Sequence, residues 1–172
     1  QTCALPIWCF KMKITFNGDP ITLVGPVLRV GDDAPDFLVV DNTLKNVTLK
    51  DTSGKRIFVV VPSIDTSVCD MEVRKFNEEA SKLSDVTVYV VSMDLPFAQV
   101  RWCGNAGIDK VITVSDYKQK SFGKKYGTLI EEFGFLARAI FVVDENNKIT
   151  YVEYCKDVIN EPDYESALNA VK

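Results

Sequence analysis

The feature that most constrains the fold of this chain is an apolar, β-branched run that leads directly into an amphipathic helix pattern. Residues 57–61 (IFVVV) have the composition of a buried strand, and Pro62 ends the run. After a short polar loop, apolar residues recur at alternating spacings of four and three, as on one face of a helix: Cys69, Val73, Phe76, Ala80 and Leu83. A second run of buried-strand length, residues 86–92, follows. The stretch therefore predicts a strand–helix–strand unit.

The rest of the chain continues this alternation of strands and helices. A hairpin is predicted at residues 13–24, where two short β runs flank Asn17-Gly18-Asp19-Pro20, and residues 25–35 read as a loop. The other predicted elements are strands at 37–40, 47–49, 111–114, 137–143 and 149–154, and helices at 97–105, 119–126 and 163–171. Strands alternating with helices imply an α/β fold, in which helices cover both faces of a mixed sheet.

Length and charge restrict the functions that this chain can have. A chain of 172 residues is long enough to bury a full-sized core. The net charge of −4, without any cluster of lysine and arginine, provides no basic surface for nucleic acid. No apolar run approaches the roughly 20 residues that a membrane-spanning helix needs. We therefore expect residues 12–172 to form one domain that binds neither nucleic acid nor a membrane.

Histidine is absent from the sequence. Its absence excludes Ser–His–Asp and Cys–His nucleophile pairs, histidine zinc sites and histidine general bases. A catalytic cysteine in this chain would need activation by a helix terminus, an arginine or a hydroxyl group. We expect no metal and no cofactor.

Five cysteines are present, at positions 3, 9, 69, 103 and 155, and none form a C-x-x-C pair. This sparse, odd set does not resemble a secreted disulfide framework or a zinc knuckle, so we predict a reducing compartment, the cytoplasm. Residues 1–11 do not read as part of the fold, because Met12 looks like a natural start. We expect residues 1–11 to come from cloning or from a misassigned start site, and we exclude Cys3 and Cys9 from the chemistry.

Cys69 is a candidate nucleophile because of its position at the start of the predicted helix. Asp65, Thr66 or Ser67 could cap this helix, and each choice puts Cys69 in or next to the first turn. Unpaired N–H groups and the helix dipole favour an anion there, and the thiolate is the reactive form of cysteine. The alternative is that Cys69 is a small apolar residue on the inward face of the helix.

Pro62, Thr66 and Cys69 form the pattern P-x-x-x-T-x-x-C between a strand and a helix, which resembles the active-site motif of peroxiredoxins. The longer strings PSIDTSVCDMEVRKFN and SMDLPFAQVRWC are similar to the thiol peroxidase subfamily, and the similarity extends over residues 12–172. The resemblance implies a thioredoxin-like fold. It also implies a peroxidase that reduces hydrogen peroxide and organic hydroperoxides through a sulfenic acid on Cys69.

Arg138 is a second candidate, since it stands at the start of an apolar strand. Arginine is rarely buried unless it is paired, and a thiolate or a peroxide oxygen is a suitable partner. The alternative is an arginine in a surface ion pair at the strand end. The resemblance implies that Thr66 and Arg138 are active-site residues and that Pro62 shields the thiolate. From the sequence alone, the favoured interpretation of Thr66 is a plain helix cap.

Cys103 is the candidate for recycling the sulfenic acid. It is predicted on the helix after the next strand, and helices that follow adjacent parallel strands lie side by side. Within the resemblance, its spacing from Cys69 is that of the resolving cysteine, which implies an internal Cys69–Cys103 disulfide. Cys155 reads as a strand residue. Trp102 is either part of a docking surface for a reductant or a core residue.

The resemblance further implies thioredoxin as the reductant and a homodimer that uses residues 94–101. Two alternative functions are compatible with the same sequence features. One is a peroxide-sensing relay protein that passes its disulfide to a partner, and the other is a non-catalytic interaction module with a thioredoxin fold.

Overall fold

The computed structural model describes residues 12–172 and contains a seven-stranded central sheet. The strands are β1 Ile14–Phe16, β2 Asp19–Ile21, β3 Leu23–Val24, β4 Leu38–Val40, β5 Asn46–Thr48, β6 Lys55–Val60, β7 Val86–Ser92, β8 Ile112–Ser115, β9 Leu129–Ile130, β10 Ala139–Val143 and β11 Ile149–Tyr154. The helices are α1 Ser67–Ala80, α2 Pro96–Ala106, α3 Ser121–Lys125 and α4 Tyr164–Asn169, with a 3₁₀ turn at Leu49–Asp51.

The central sheet has the strand order β11-β10-β6-β7-β8-β4-β5, in which β6, β7 and β8 are parallel and the other pairings are antiparallel. Helices α1 and α2 make the two crossovers between the parallel strands, as the β-branched runs predict. The predicted mixed α/β fold is confirmed. β7 and β11 have the bounds that the sequence predicts, and most other elements differ from prediction by one or two residues at an end.

Successive residues of β6 point to opposite faces of the sheet and enter two separate apolar layers. On one face, Ile57 and Val59 pack with the inward side of α1, including Cys69, and with α4. On the other face, the ring centres of Phe58 and of Phe122 in α3 are 5.7 Å apart, within an aromatic cluster. Helices therefore cover both faces, and the layer under α1 holds the candidate nucleophile.

Three short segments differ from the sequence predictions. The hairpin turn contains only Asn17 and Gly18, both with positive φ, so that Asp19 and Pro20 belong to β2. Helix α3 begins later than predicted, because Lys120 has a left-handed backbone (φ 55°) that separates it from the preceding turn. The β3–β9 pair was not predicted, since two-residue strands carry no periodic pattern.

No helix in residues 12–172 has the length and apolar character needed to cross a bilayer. The expectations for residues 1–11, with Cys3 and Cys9, lie outside the described residues.

Candidate active site

The candidate nucleophile, Cys69, lies in the first turn of α1. After β6 the chain passes through the buried Pro62 and a turn, and Thr66 becomes the N-cap. The Thr66 hydroxyl accepts a hydrogen bond from the backbone N–H of Cys69 at 3.3 Å. Thr66 is therefore the residue, among the three possible caps, that caps the helix. The Cys69 side chain, in the first turn, has no exposed surface.

Arg138 reaches the Cys69 sulfur from the neighbouring strand. Arg138 directly precedes β10, and its Nη2 donates a hydrogen bond to Cys69 Sγ at 3.3 Å. Its Nε donates to the carbonyl of Val158 at 2.9 Å, and its Nη1 pairs with Glu72. Arg138 is only 2% exposed, so the alternative of a surface ion pair is wrong. The guanidinium is thus held by three groups at once: a carbonyl, a carboxylate and the sulfur.

Glu72 is part of this site, and the sequence analysis missed it. It lies three residues after Cys69 on the same face of α1 and is fully buried. Burial raises the pKa of Glu72 to about 7, although Arg138 acts in the opposite direction. Its Oε1 has no hydrogen-bond partner within residues 12–172. The available signal was a carboxylate on an otherwise apolar helix face, which needs a buried cation.

Asp94 fixes the loop that leads into α1. Its carboxylate accepts hydrogen bonds from the Ser63 hydroxyl at 2.7 Å, from the backbone N–H of Ile64 at 2.9 Å and from the Ser92 hydroxyl at 2.7 Å. Asp94 does not cap α2, whose N-cap is Leu95, followed by Pro96, and makes no side-chain capping bond. Asp94 therefore ties the end of β7 to the active-site loop.

Cys103 lies on α2 and is half-buried. Its Sγ is 3.9 Å from the hydroxyl of Thr113 in β8, and it lines a shallow cavity of about 310 Å³ together with Asn42. Burial raises the pKa of the Cys103 thiol. Cys69 and Cys103 are both free thiols, so the structure describes the dithiol form of the pair.

Cys155 and Trp102 are the two remaining residues that the sequence analysis considered, and both are at least partly buried. Cys155 follows the last residue of β11, is 4% exposed, and burial raises the pKa of its thiol to about 12. Such a thiol is protonated near neutral pH and is a poor nucleophile. Trp102 is half-buried and packs at the edge of the apolar layer under α1. Within residues 12–172, no group of three or more cysteine or acidic side chains is placed to hold a metal ion.

The chain is similar in sequence to known proteins of one family. A family profile described as Redoxin matches residues 29–168. The thiol peroxidase of Bacillus subtilis is 55% identical over 161 residues, which are 93% of this chain and 96% of that protein. The thiol peroxidase of Clostridium acetobutylicum is 51% identical and covers 94% of this chain and 98% of its own length.

Among solved structures, a peroxiredoxin-like protein from Aquifex aeolicus is similar with a TM-score of 0.87 at 40% identity. The match covers 93% of this chain and 95% of that chain, and it confirms the expected thioredoxin-like fold. The chain therefore belongs to the Redoxin family and, within the peroxiredoxins, to the thiol peroxidases.

Proposed function

We propose that this protein reduces hydrogen peroxide and organic hydroperoxides with Cys69 as the attacking thiolate. The observation that carries the proposal is the 3.3 Å contact between Arg138 Nη2 and the buried Cys69 sulfur, at the N-terminus of α1. A cation and the open end of a helix both favour the anionic sulfur. In a chain without histidine, these two groups replace the imidazole base of other cysteine enzymes.

The reaction at Cys69 follows from the same contacts. The thiolate attacks one peroxide oxygen, the O–O bond breaks, and the other oxygen leaves with a proton as water or an alcohol. The sulfur is oxidised to a sulfenic acid, and the peroxide is reduced by two electrons. In our proposal Arg138 and the N–H of Cys69, which contacts the Thr66 hydroxyl, are donors for the charge that moves onto oxygen. The buried ring of Pro62 limits the access of water.

Cys103 then resolves the sulfenic acid in our proposal. Its thiol attacks the Cys69 sulfur, water leaves, and an internal disulfide forms. Disulfide geometry requires the two Cα atoms to approach within about 7 Å. Cys69 lies under the first turn of α1, whereas Cys103 contacts Thr113 on the side of β8, so we propose that parts of both helices open during this step.

An external dithiol must then reduce the disulfide, and we propose thioredoxin, acting in the cytoplasm. We also propose a homodimer that uses residues 94–101. Three apolar side chains in this segment are about half exposed or more, namely Leu95, Phe97 and Val100. Apolar surface of this kind is typical of a protein contact.

The proposal is tested by measuring peroxide consumption with thioredoxin and its reductase as the electron source. We expect Cys69→Ser to abolish consumption and Cys103→Ser to allow one oxidation without recycling. Unchanged turnover of Cys69→Ser would refute the mechanism. Slow turnover of the wild-type protein with stoichiometric oxidation of a partner protein would favour the relay alternative.

A further inference from the structure

Arg74 connects the two helices that carry the reactive cysteines. It lies on α1, and its Nε donates to Asp70 at 2.8 Å, one residue beyond Cys69. Its Nη1 crosses to α2 and donates to the carbonyl of Ala106 at 3.0 Å. The guanidinium carbon is 6.0 Å from the ring centre of Trp102, which is also on α2. One side chain therefore contacts residues adjacent to both cysteines.

The contact with Ala106 lies at the C-terminal end of α2. Ala106 is the last residue of the helix, and Gly107 ends it with a left-handed backbone (φ 68°). Carbonyl groups in the last turn of a helix lack intrahelical partners, and a cation there is favoured by the helix dipole. Arg74 supplies both the donor and the positive charge, so it stabilises the folded end of the helix segment that contains Cys103.

Cys103 itself points away from Arg74. The side of α2 that faces α1 lines a cavity of about 570 Å³ with Arg101, Trp102 and Ala106. Cys103 is displaced around the helix by about 100° from Trp102 and faces Thr113. For its sulfur to reach Cys69, the end of α2 has to turn or unwind. That movement separates Ala106 and Trp102 from Arg74.

We propose that Arg74 is a positioning residue that holds the dithiol form closed and thereby slows disulfide formation after Cys69 is oxidised. This inference rests on the proposed function. Two reactions compete for the sulfenic acid. Attack by the Cys103 thiol forms the disulfide and releases water, whereas a second peroxide molecule oxidises the sulfur to the sulfinic acid and is itself reduced to water or an alcohol. A slower first reaction leaves more time for the second.

The decisive measurement is the rate of the step that is independent of peroxide concentration. The reduced protein is mixed rapidly with peroxide, quenched with an alkylating reagent, and the states of Cys69 and Cys103 are read by peptide mass spectrometry. For Arg74→Gln we expect this rate to rise by about threefold to tenfold, because a charge-assisted hydrogen bond and a ring contact are lost. The yield of sulfinic acid at high peroxide should fall.

Two further variants and one control make the test specific. Arg74→Lys keeps the charge but cannot bridge Asp70 and Ala106 simultaneously, so we expect an intermediate rate. Trp102→Leu removes the ring contact from the side of α2 and should change the rate in the same direction. Lys75→Gln removes a positive charge and a ring contact at the neighbouring position of α1 without breaking the bridge, and should leave the rate unchanged.

An unchanged or slower disulfide step in Arg74→Gln and Trp102→Leu would overturn the inference, and so would an equal acceleration in Lys75→Gln. These outcomes differ from failure of the proposed function, in which wild-type Cys69 would not be oxidised by peroxide at all.

Discussion

At the scale of single residues, two acidic groups in the site share one cation. Arg138 contacts both Glu72 and the Cys69 sulfur, and all three side chains are buried. If both acidic groups were ionised, one cation would face two anions in a region of low dielectric constant. The protonation of Glu72 and the reactivity of Cys69 are therefore linked through Arg138.

Replacement of Arg138 by lysine should disable the site while keeping a positive charge. A single ammonium group cannot contact Val158, Glu72 and the sulfur in the planar geometry of a guanidinium. We expect the rate constant for oxidation of Cys69 to fall by about 100-fold, as for loss of one preorganised donor. The matched control is Arg56→Lys, which alters another buried arginine outside the site. A comparable loss of rate in the control would contradict a specific role for Arg138.

Glu72 should make stability depend on pH in the opposite direction from an ordinary ion pair. Its pKa is raised from 4.5 to about 7 in the folded protein, so folding favours the protonated form. That contribution is fully present below 4.5 and is lost as the pH rises through about 7. Relative to Glu72→Gln, the wild-type free energy of unfolding should therefore fall by roughly 1–3 kcal/mol over this range. Urea titrations at several pH values measure it, and parallel curves for the two proteins would contradict the prediction.

At the scale of elements, the start of α1 is held by contacts from two segments of the chain. The Thr66 hydroxyl caps the helix by accepting a hydrogen bond from the backbone N–H of Cys69, the candidate nucleophile. The loop before it is held by Asp94, which comes from the end of the neighbouring strand. The stability of the helix start and the position of the candidate nucleophile thus depend on the same few hydrogen bonds.

Thr66→Val tests whether the hydroxyl only caps the helix or also acts in the reaction. Loss of the cap costs about 1 kcal/mol in the free energy of unfolding. If the hydroxyl also acts in the reaction, the rate of Cys69 oxidation should fall by more than this destabilisation explains. Thr66→Ser keeps the hydroxyl and should retain both properties. Denaturant unfolding and single-turnover oxidation provide the two measurements, and an unaffected rate in Thr66→Val would leave the residue a cap only.

Oxidation should loosen both cysteine helices. We expect the disulfide form to exchange its amide hydrogens faster than the dithiol form in the first turn of α1 and in the second half of α2. Hydrogen exchange followed by mass spectrometry compares the two forms, with Cys103→Ser treated with peroxide as the control. Equal protection of both helices in the two forms would show that the disulfide needs no unwinding.

At the scale of the whole molecule, the N-terminal hairpin is attached to the rest of the chain through Asp157. This carboxylate accepts hydrogen bonds from the Thr15 hydroxyl at 2.6 Å and from the backbone N–H groups of Asn17 and Gly18. Although burial opposes it, these bonds and one from the N–H of Ile159 lower the pKa of Asp157 to about 2. The attachment joins residues that are about 140 positions apart in the sequence.

Asp157→Asn should therefore reduce stability in a pH-dependent way. The lowered pKa stabilises the fold above the ordinary value of 3.8, and this contribution is lost as the pH falls through about 2. Because the group is partly exposed to solvent, we expect a difference of only about 1 kcal/mol near neutral pH. Thermal unfolding of both proteins at neutral and acidic pH measures it. A difference that persists at the lowest pH would contradict this explanation.

The sequence by itself determined most of the elements and the candidate nucleophile. Local periodicity is sufficient for the run before Pro62, for α1 and for β7, because the side chains of one strand or helix repeat at a fixed spacing. The position of Cys69 at a helix start follows from the same pattern. The extent of α3 and the β3–β9 pair did not follow, since a left-handed residue and two-residue strands have no such pattern.

Only the tertiary structure decided which groups surround the sulfur. Val60 of β6 pairs with Ala139 of antiparallel β10, so the end of one strand adjoins the start of the other. That register brings Arg138 to Cys69 across 69 positions in the sequence. Glu72 pairs with the same guanidinium. The sequence contains the side chains, but pairing between distant strands and the burial it causes set their contacts and charges.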